Sequence, residues 1–245
     1  MSSKRNRGYQ LTTALLRGYR KAAVDNAREL LYEAALLLRN NHFARGYFLS
    51  VTAVEEIGKA VQAFDALGRN VSDPEVSVRV RLNFEDYPKR MIAAAFPLMQ
   101  MAPELRADIV PFFEMLIESK RFSEPALYMG IDPHSARIVS PNTMVSPYKA
   151  ERTRRLAQLI FDYAAPHVMD SPPKLRTRAE DEFFAMKSAV LVSMTHNADF
   201  WQYYASVMKD GDVAFEAAVS DYSKKYVARD RKFRDEIGPE PHADA

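Results

Sequence analysis

The sequence predicts an all-α fold of about seven helices, interrupted over residues 121–147 by a proline-rich loop or a small hairpin. Three observations predict this class. Only 8 of the 245 residues are glycine, whereas alanine, leucine and long charged residues, which favour helices, are abundant. Apolar side chains recur at three- and four-residue steps along most of the chain. No segment repeats at a fixed period, so a solenoid is not expected.

The composition excludes several classes of protein. Apolar residues make up 47% and charged residues 27% of the chain, which is typical of a globular domain. Cysteine is absent, which excludes disulfides, cysteine-ligated zinc, iron–sulfur clusters and thiol nucleophiles. The 34 basic and 32 acidic residues nearly balance, so net charge indicates no class of partner.

No segment of the sequence looks like a targeting or membrane signal. The first ten residues are polar and basic and lack the apolar core of a secretory signal. The longest apolar run, Met91 to Met99, is interrupted by Pro97 and is too short to span a bilayer. We therefore expect a cytoplasmic protein without a membrane association.

The first two helices are predicted to form an antiparallel hairpin. The first runs from about Ala14 to Asn40, with an apolar stripe that includes Ala27 and Leu31. Asn40 and Asn41 form a stop signal, and a second helix runs from about His42 to Leu67. Two helices joined by so short a link must fold back on each other.

Five more helices follow in the same pattern. They are predicted over Pro88–Gln100, Pro103–Lys120 with a kink at Pro111, Tyr148–Val168, Thr177–Lys209 and Asp212–Arg234. The stretch from Arg121 to Pro147 contains four prolines and two short β-prone pieces, Ala126–Met129 and Arg137–Val139. A loop this long in a compact domain is usually functional or packs as an arm.

No composition shift marks a clear domain boundary, and Pro172–Pro173 is the only candidate. The sequence therefore predicts a flexible basic N-terminus over residues 1–13, one all-helical domain over 14–235 and a flexible tail over 236–245.

The second predicted helix carries a charged stripe opposite its core face. At about 100° per residue, its core face holds Phe43, Tyr47, Val54, Ile57 and Val61. The charged stripe gathers Arg45, Thr52, Glu55, Glu56 and Lys59. Gly58 borders the core face, which indicates the close approach of a neighbouring helix. The stripe is either an ordinary solvated face or a polar patch that binds a partner, and its two carboxylates could share protons or a metal ion.

Three segments resemble the AbiV family of abortive-infection proteins, which belongs to the HEPN superfamily of helical proteins. The most specific is Tyr19 to Phe64, with the signature Glu55-Glu56-Ile57-Gly58-Lys59. Phe84 to Lys89 lies where the family usually has a histidine followed by lysines. Ala126 to Asp132, followed by Ser140-Pro141, is similar to a short excursion of the family. The resemblance covers about half of the chain, from Tyr19 to Pro141.

The resemblance implies a HEPN-like helical bundle, a homodimer and a role in defence against bacteriophage. It implies interference with phage multiplication at the RNA or translation level, with a phage protein as candidate trigger and RNA or the translation machinery as candidate partner. The functional surface expected from the resemblance and the stripe comprises Arg45, Glu55, Glu56, Lys59 and Lys89. No cofactor and no metal ion are expected.

The ribonuclease motif of the superfamily is absent from the sequence. Many superfamily members carry an arginine four to six residues before a histidine. None of the five histidines has this spacing: His42, His134, His167, His196 and His242. His196, with Asp199 three residues later as an orienting carboxylate, is the remaining catalytic candidate, and an ordinary helix residue is the alternative. Whether the protein is an enzyme thus stays open, between a HEPN-type ribonuclease with a non-standard site and a non-catalytic interaction module.

Basic residues cluster near the C-terminus as well. The cluster comprises Lys224, Lys225, Arg229, Arg231, Lys232 and Arg234, with acids interleaved. This pattern indicates either a solvated helix of mixed charge or a contact with RNA phosphates.

Overall fold

The computed structural model describes residues 9–105, 127–131, 136–209 and 211–237. These residues form eleven α-helices, two 3₁₀ turns and one two-stranded sheet, which confirms the predicted all-α class. Every helix of these ranges falls short of the length or hydrophobicity that a bilayer span requires. The predicted flexible ends fall largely on residues 1–8 and 238–245, which lie outside the described residues.

The chain divides into two compact units. The first comprises the residues up to Val71 together with Val80–Lys174, and the second comprises Ser72–Arg79 and the residues from Leu175 onward. The second division falls just after Pro172–Pro173, the candidate boundary in the sequence. The single domain expected over 14–235 stays a prediction.

The helices and strands are numbered in chain order. Up to Lys174 they are α1 (Thr13–Arg39), α2 (Phe43–Leu67), α3 (Pro74–Glu85), α4 (Tyr87–Met101), a 3₁₀ turn (Pro103–Leu105), β1 (Gly130–Ile131), β2 (Ile138–Val139), α5 (Pro141–Met144) and α6 (Pro147–Asp170). From Leu175 they are α7 (Arg178–Ala185), α8 (Ser188–Thr195), α9 (Ala198–Lys209), α10 (Phe215–Lys225), a 3₁₀ turn (Val227–Arg229) and α11 (Arg234–Ile237).

The predicted hairpin of α1 and α2 is confirmed. The Thr12 hydroxyl caps α1 by accepting from the Leu15 amide at 3.1 Å. At the other end, Asn41 adopts a left-handed backbone with φ 62°, which asparagine tolerates well, and the chain reverses. Gly46, near the start of α2, then lies against Leu38, near the end of α1.

Helix α2 is the centre of the first unit, where it packs against α1, α4 and α6. Its predicted core face is confirmed, since Tyr47, Val54 and Ile57 are buried. Gly58 faces α4 so closely that a Cβ atom there would lie 1.9 Å from the carbonyl oxygen of Arg90. The helix approach expected at this glycine is therefore present, and it fixes the distance between α2 and α4.

Residues 74–85 form α3, although the sequence predicts no helix there. Asp73 starts this helix, because its Oδ1 accepts from the amides of Glu75 at 2.8 Å and Val76 at 3.3 Å. Pro74 occupies the first turn, where its missing N–H is tolerated. The sequence Asp-Pro-Glu carries this start signal, although Ser72 to Pro74 are predicted to form a loop.

A small hairpin lies within the predicted excursion. Strand β1 pairs antiparallel with β2, with Gly130 opposite Val139 and Ile131 opposite Ile138. The predicted piece Arg137–Val139 contains β2, whereas β1 begins just after the other predicted piece. The predicted helix Pro103–Lys120 is described only as the 3₁₀ turn at its start; the remainder, including Pro111, lies outside the described residues.

The long helix predicted over Thr177–Lys209 is wrong, because the structure has α7, α8 and α9 there. At the first break, the Arg79 guanidinium donates to the carbonyls of Ala185 and Met186. At the second break, the Trp201 indole donates to the Thr195 carbonyl at 2.7 Å, and Asn197 Oδ1 accepts from the Asp199 amide. Side chains thus satisfy the backbone groups at both helix ends.

The helix predicted over Asp212–Arg234 is also too long, because α10 spans only Phe215–Lys225. Asp230 turns the chain with a left-handed backbone, φ 51°. The carboxylate of Asp199 then accepts from the amides of Phe233 at 2.8 Å and Arg234 at 3.0 Å. The buried carboxylate of Asp199, on α9, therefore takes backbone amides that a continuous helix would bond internally.

An aromatic core holds the second unit together. Its buried rings are Phe200, Tyr203, Tyr222, Tyr226 and Phe233. Neighbouring rings lie at centroid distances typical of edge-to-face and tilted packing, for example 5.3 Å between Phe200 and Tyr222.

The second unit is expected to lose stability in acid, and Glu182 is one cause. Burial raises the pKa of Glu182, but hydrogen bonds from Lys224, Ser220 and Arg178 outweigh it and lower the pKa to about 2. Since the unfolded pKa is about 4.3, this stabilisation is complete above that pH and is lost as the pH falls towards 2. Urea unfolding followed by the fluorescence of Trp201, the only tryptophan, should give a midpoint that falls from pH 7 to pH 2.5.

The variant Glu182→Gln tests the cause of that fall. It should lower the midpoint at pH 7 and flatten the pH dependence, though not abolish it, because the pKa values of Asp199 and Asp221 are lowered too. An equally steep pH dependence in the variant would remove Glu182 from the explanation.

Candidate functional site

The charged stripe of α2 forms an ion-paired group in the structure. The ammonium of Lys59 lies 2.7 Å from Oε1 of Glu56 and 3.8 Å from Oε1 of Glu55. These pairs span three and four residues, the separations at which helix side chains meet. Lys59 thus bridges the two adjacent carboxylates.

Arg90 of α4 completes this group. Its Nη2 lies 2.8 Å from Glu55 Oε1, and its Nη1 donates to the backbone carbonyl of Phe84. Its Nε is buried and makes no hydrogen bond with the described residues. The contact of Gly58 with the Arg90 backbone brings this arginine within reach of Glu55. We call Glu55, Glu56, Lys59 and Arg90 the α2–α4 charge cluster.

Tyr19 of α1 borders the α2–α4 charge cluster. Its ring packs against Phe84 at a centroid distance of 5.3 Å. Burial raises the pKa of the Tyr19 phenol, and the negative charges of Glu56 and Glu55 raise it further against the opposing effect of Arg90. The phenol therefore stays protonated and can donate a hydrogen bond at this edge.

The side chains of the α2–α4 charge cluster are partly buried. The exposed fractions of its side chains are 12% for Arg90, 15% for Glu56, 21% for Lys59 and 23% for Glu55. Two carboxylates and two cations cancel in charge, and partial burial shields their pairing from solvent more than at an open surface. The stripe is therefore a preformed polar patch held by contacts between two helices.

Two of the expected surface residues stand apart from the cluster. Arg45 is exposed, and its side chain pairs with no described carboxylate. Lys89 contacts residues close to it in sequence instead of the cluster. Its ammonium lies 2.8 Å from Asn83 Oδ1 and 3.6 Å from Asp86 Oδ2. The structure therefore brings together Glu55, Glu56 and Lys59 of the predicted surface and adds Arg90.

His196 lies in the second unit, at the C-terminal end of α8, where it is exposed. Asp199, the expected orienting carboxylate, is engaged elsewhere: it accepts from the Tyr222 hydroxyl at 2.7 Å and from the amides of Phe233 and Arg234. The catalytic role of His196 stays a prediction, without the orienting contact on which it rested.

The chemistry available to the α2–α4 charge cluster is recognition by charge and hydrogen bonding. It contains no histidine, the side chain whose ordinary pKa lies nearest neutrality. The described residues also contain no group of three or more histidine, aspartate or glutamate side chains that could hold a metal ion. Carboxylate oxygens, an ammonium and the nearby phenol can instead bind complementary groups of a partner.

Sequence reasoning missed Arg90 and Tyr19. Tyr19 lies on α1 and Arg90 on α4, so helix periodicity within α2 carries no information about them. Arg90 directly follows Lys89, the last residue of the Phe84–Lys89 segment. The available signal was Gly58. A glycine that lets another helix approach closely also indicates that charged side chains of that helix lie near those around the glycine.

A known protein family matches the part of the chain that contains this cluster. The family model HEPN_AbiV, described as AbiV, matches residues 15–162, which is more than half of the chain. The α2–α4 charge cluster and Tyr19 lie inside this range, whereas His196 lies outside it. A search of the curated proteins and a search of the solved structures each found no match.

Proposed function

The chain belongs to the AbiV family of HEPN proteins, and from this premise we propose that it protects bacteria against phage by abortive infection. The family match is the observation that carries the proposal. The α2–α4 charge cluster is the surface through which it acts. Interference with phage multiplication occurs at the level of RNA or translation.

The geometry of the cluster favours recognition of a partner over chemistry on it. Its charges are paired and partly buried, so they are oriented before a partner arrives, and binding costs little side-chain entropy. Its carboxylates and its ammonium remain 15–23% exposed, so hydrogen bonds to a partner are open to them. A phage protein or the translation machinery is the partner class we propose.

We also propose that the active species is a homodimer. The first unit exposes apolar side chains on α1 and α4, including Tyr32, Ile92 and Phe96, which suit a protein contact. Sedimentation equilibrium of the purified protein should give twice the chain mass of 27.9 kDa.

Lys59→Ala is expected to abolish phage protection while leaving the protein folded. The change removes the bridge between Glu55 and Glu56 and leaves two neighbouring carboxylates with one cation. Plaque counts on cells that express the variant should match those on cells without the protein. Glu56→Ala should have the same effect, because it removes the closest partner of Lys59.

Lys21→Ala is the matched control. Lys21 also pairs with a carboxylate one helical turn away, Asp25 at 2.6 Å, but this pair lies on α1 with side chains 68% and 44% exposed. Protection should survive this change. If cells that express Lys59→Ala and Glu56→Ala at normal levels still resist phage, the cluster has no part in the mechanism.

Incubation of the pure protein with total RNA, together with plaque counts for His196→Ala, separates the remaining alternatives. Degradation of total RNA by the pure protein, lost on His196→Ala, would favour a ribonuclease with a non-standard site. Protection that survives His196→Ala, together with intact RNA, supports the non-catalytic interaction that we propose.

A further inference from the structure

The second unit contains a cavity that plays no part in the function proposed above. It has a volume of about 420 Å³ and lies between α8 and the turn that follows α10. Its wall includes Val190, Met194 and Tyr226, and its polar lining includes Ser193 and Asn197. This size and this mixture of apolar and polar groups are typical of sites for small ligands.

Two cations stand at the edge of this cavity. Arg231 and Lys232 both line it, and both are exposed. Their side chains pair with no carboxylate among the described residues. Asp230 is the one acidic residue in the lining, so the cavity has an excess of positive charge. Positive charge without an internal partner favours an anionic ligand.

The segment that carries these cations is held in place before any ligand binds. The Arg231 amide donates to the Tyr226 carbonyl at 2.9 Å, which closes the left-handed turn at Asp230. Just beyond Lys232, the buried carboxylate of Asp199 accepts from the Phe233 amide. Because both sides of the segment are fixed, its backbone does not have to be ordered when a ligand binds.

We propose that this cavity binds a nucleoside phosphate, free or as the 5′-terminal nucleotide of single-stranded RNA. The phosphate pairs with Arg231 and Lys232, since two adjacent cations match a dianion better than a single carboxylate. The base lies against the accessible apolar side chains of the lining, Val190 and Val227, where Asn197 can hydrogen-bond its edge. This site lies outside residues 15–162, so the proposal does not rest on the α2–α4 charge cluster.

The test is calorimetric titration of the full chain with AMP. We expect saturable binding, about tenfold or more tighter than that of adenosine or inorganic phosphate, because each lacks one half of the ligand. Hexaglutamate, an acidic peptide without phosphate, should not compete. Equal binding of inorganic phosphate, equal competition by hexaglutamate, or no saturable binding of AMP or RNA would overturn the proposal.

Variants locate the binding in the cavity. The double change Arg231→Gln and Lys232→Gln should weaken AMP binding about tenfold or more. Ser193→Phe should weaken it similarly by filling the cavity from an exposed position. Arg229→Gln removes one positive charge from the same turn but outside the lining, so it should change affinity far less. Unchanged affinity in both cavity variants, with native Trp201 fluorescence, would contradict the assignment.

A last comparison identifies the source of the ligand. An RNA hexamer with a 5′-phosphate that binds more tightly than AMP, while its 5′-hydroxyl form does not, assigns the site to RNA ends. Tighter binding of AMP assigns it to free nucleotides. Both results support a site for a nucleoside phosphate.

Discussion

Replacing Gly58 with alanine is expected to destabilise the protein by about 3 kcal/mol or more, because the new methyl group has no space. Its Cβ would lie 1.9 Å from the carbonyl oxygen of Arg90 and 2.6 Å from the carbonyl carbon. These atoms belong to the backbone of α4, so a rotamer change cannot relieve the clash. Only a displacement of α4 can, and that movement also separates Arg90 from Glu55. Urea unfolding followed by far-ultraviolet circular dichroism measures the loss.

Gly18→Ala provides the matched control on α1. A Cβ atom there would meet no atom within 4 Å. Since glycine in a helix is less stable than alanine by about 0.5–1 kcal/mol, this change should raise stability slightly. If the two variants unfold at the same urea concentration, the contact between α2 and α4 is looser than described.

Asp199→Asn is expected to destabilise the second unit by about 3 kcal/mol. The Asp199 side chain is 0% exposed and accepts hydrogen bonds from Tyr222 and from the amides of Phe233 and Arg234. An asparagine turns one acceptor into an NH₂ group, so at least one buried donor loses its partner. Urea unfolding followed by Trp201 fluorescence should show a lower midpoint with an unchanged slope.

A control variant and the pH dependence of unfolding both test the role of the Asp199 carboxylate. Asp212→Asn changes an exposed carboxylate of the same unit and should leave the midpoint unaltered. Burial raises the pKa of Asp199, but its hydrogen bonds hold that pKa below the ordinary value. The stabilisation is therefore present above the unfolded pKa of about 3.9 and is lost as the pH falls through the folded one. A variant as stable as the parent at pH 7 would refute the role of this carboxylate.

The parts of the fold that were predicted correctly are those with strong local signals. The α1–α2 hairpin follows from a clean apolar stripe and a stop at Asn40 and Asn41. Helices α4 and α6 likewise lie within a few residues of their predicted bounds. Of the candidate site, Glu55, Glu56 and Lys59 were predictable because they lie on one face of one helix.

The parts that were missed depend on contacts between distant residues. The ends of α7 and α8 are set partly by Arg79 and Trp201, whose side chains take the last carbonyls of those helices. The start of α11 is set by Asp199, more than thirty residues away in sequence, which accepts from the amides of Phe233 and Arg234. Helical periodicity alone does not reveal hydrogen bonds from residues so far away in sequence. For the same reason Arg90, on α4, was absent from the predicted surface.

The contact between α2 and α4 fixes the register of one helix against the other. The backbone of Arg90 sits on Gly58 while its guanidinium holds Glu55, so one residue joins the two helices through both its main chain and its side chain. If α4 slipped by one turn, about 5.4 Å, the Arg90 backbone would face an α2 residue that carries a side chain instead of Gly58. Glu55 would also lose its pairing with the Arg90 guanidinium. Sliding between these helices is therefore blocked sterically and electrostatically at the same point.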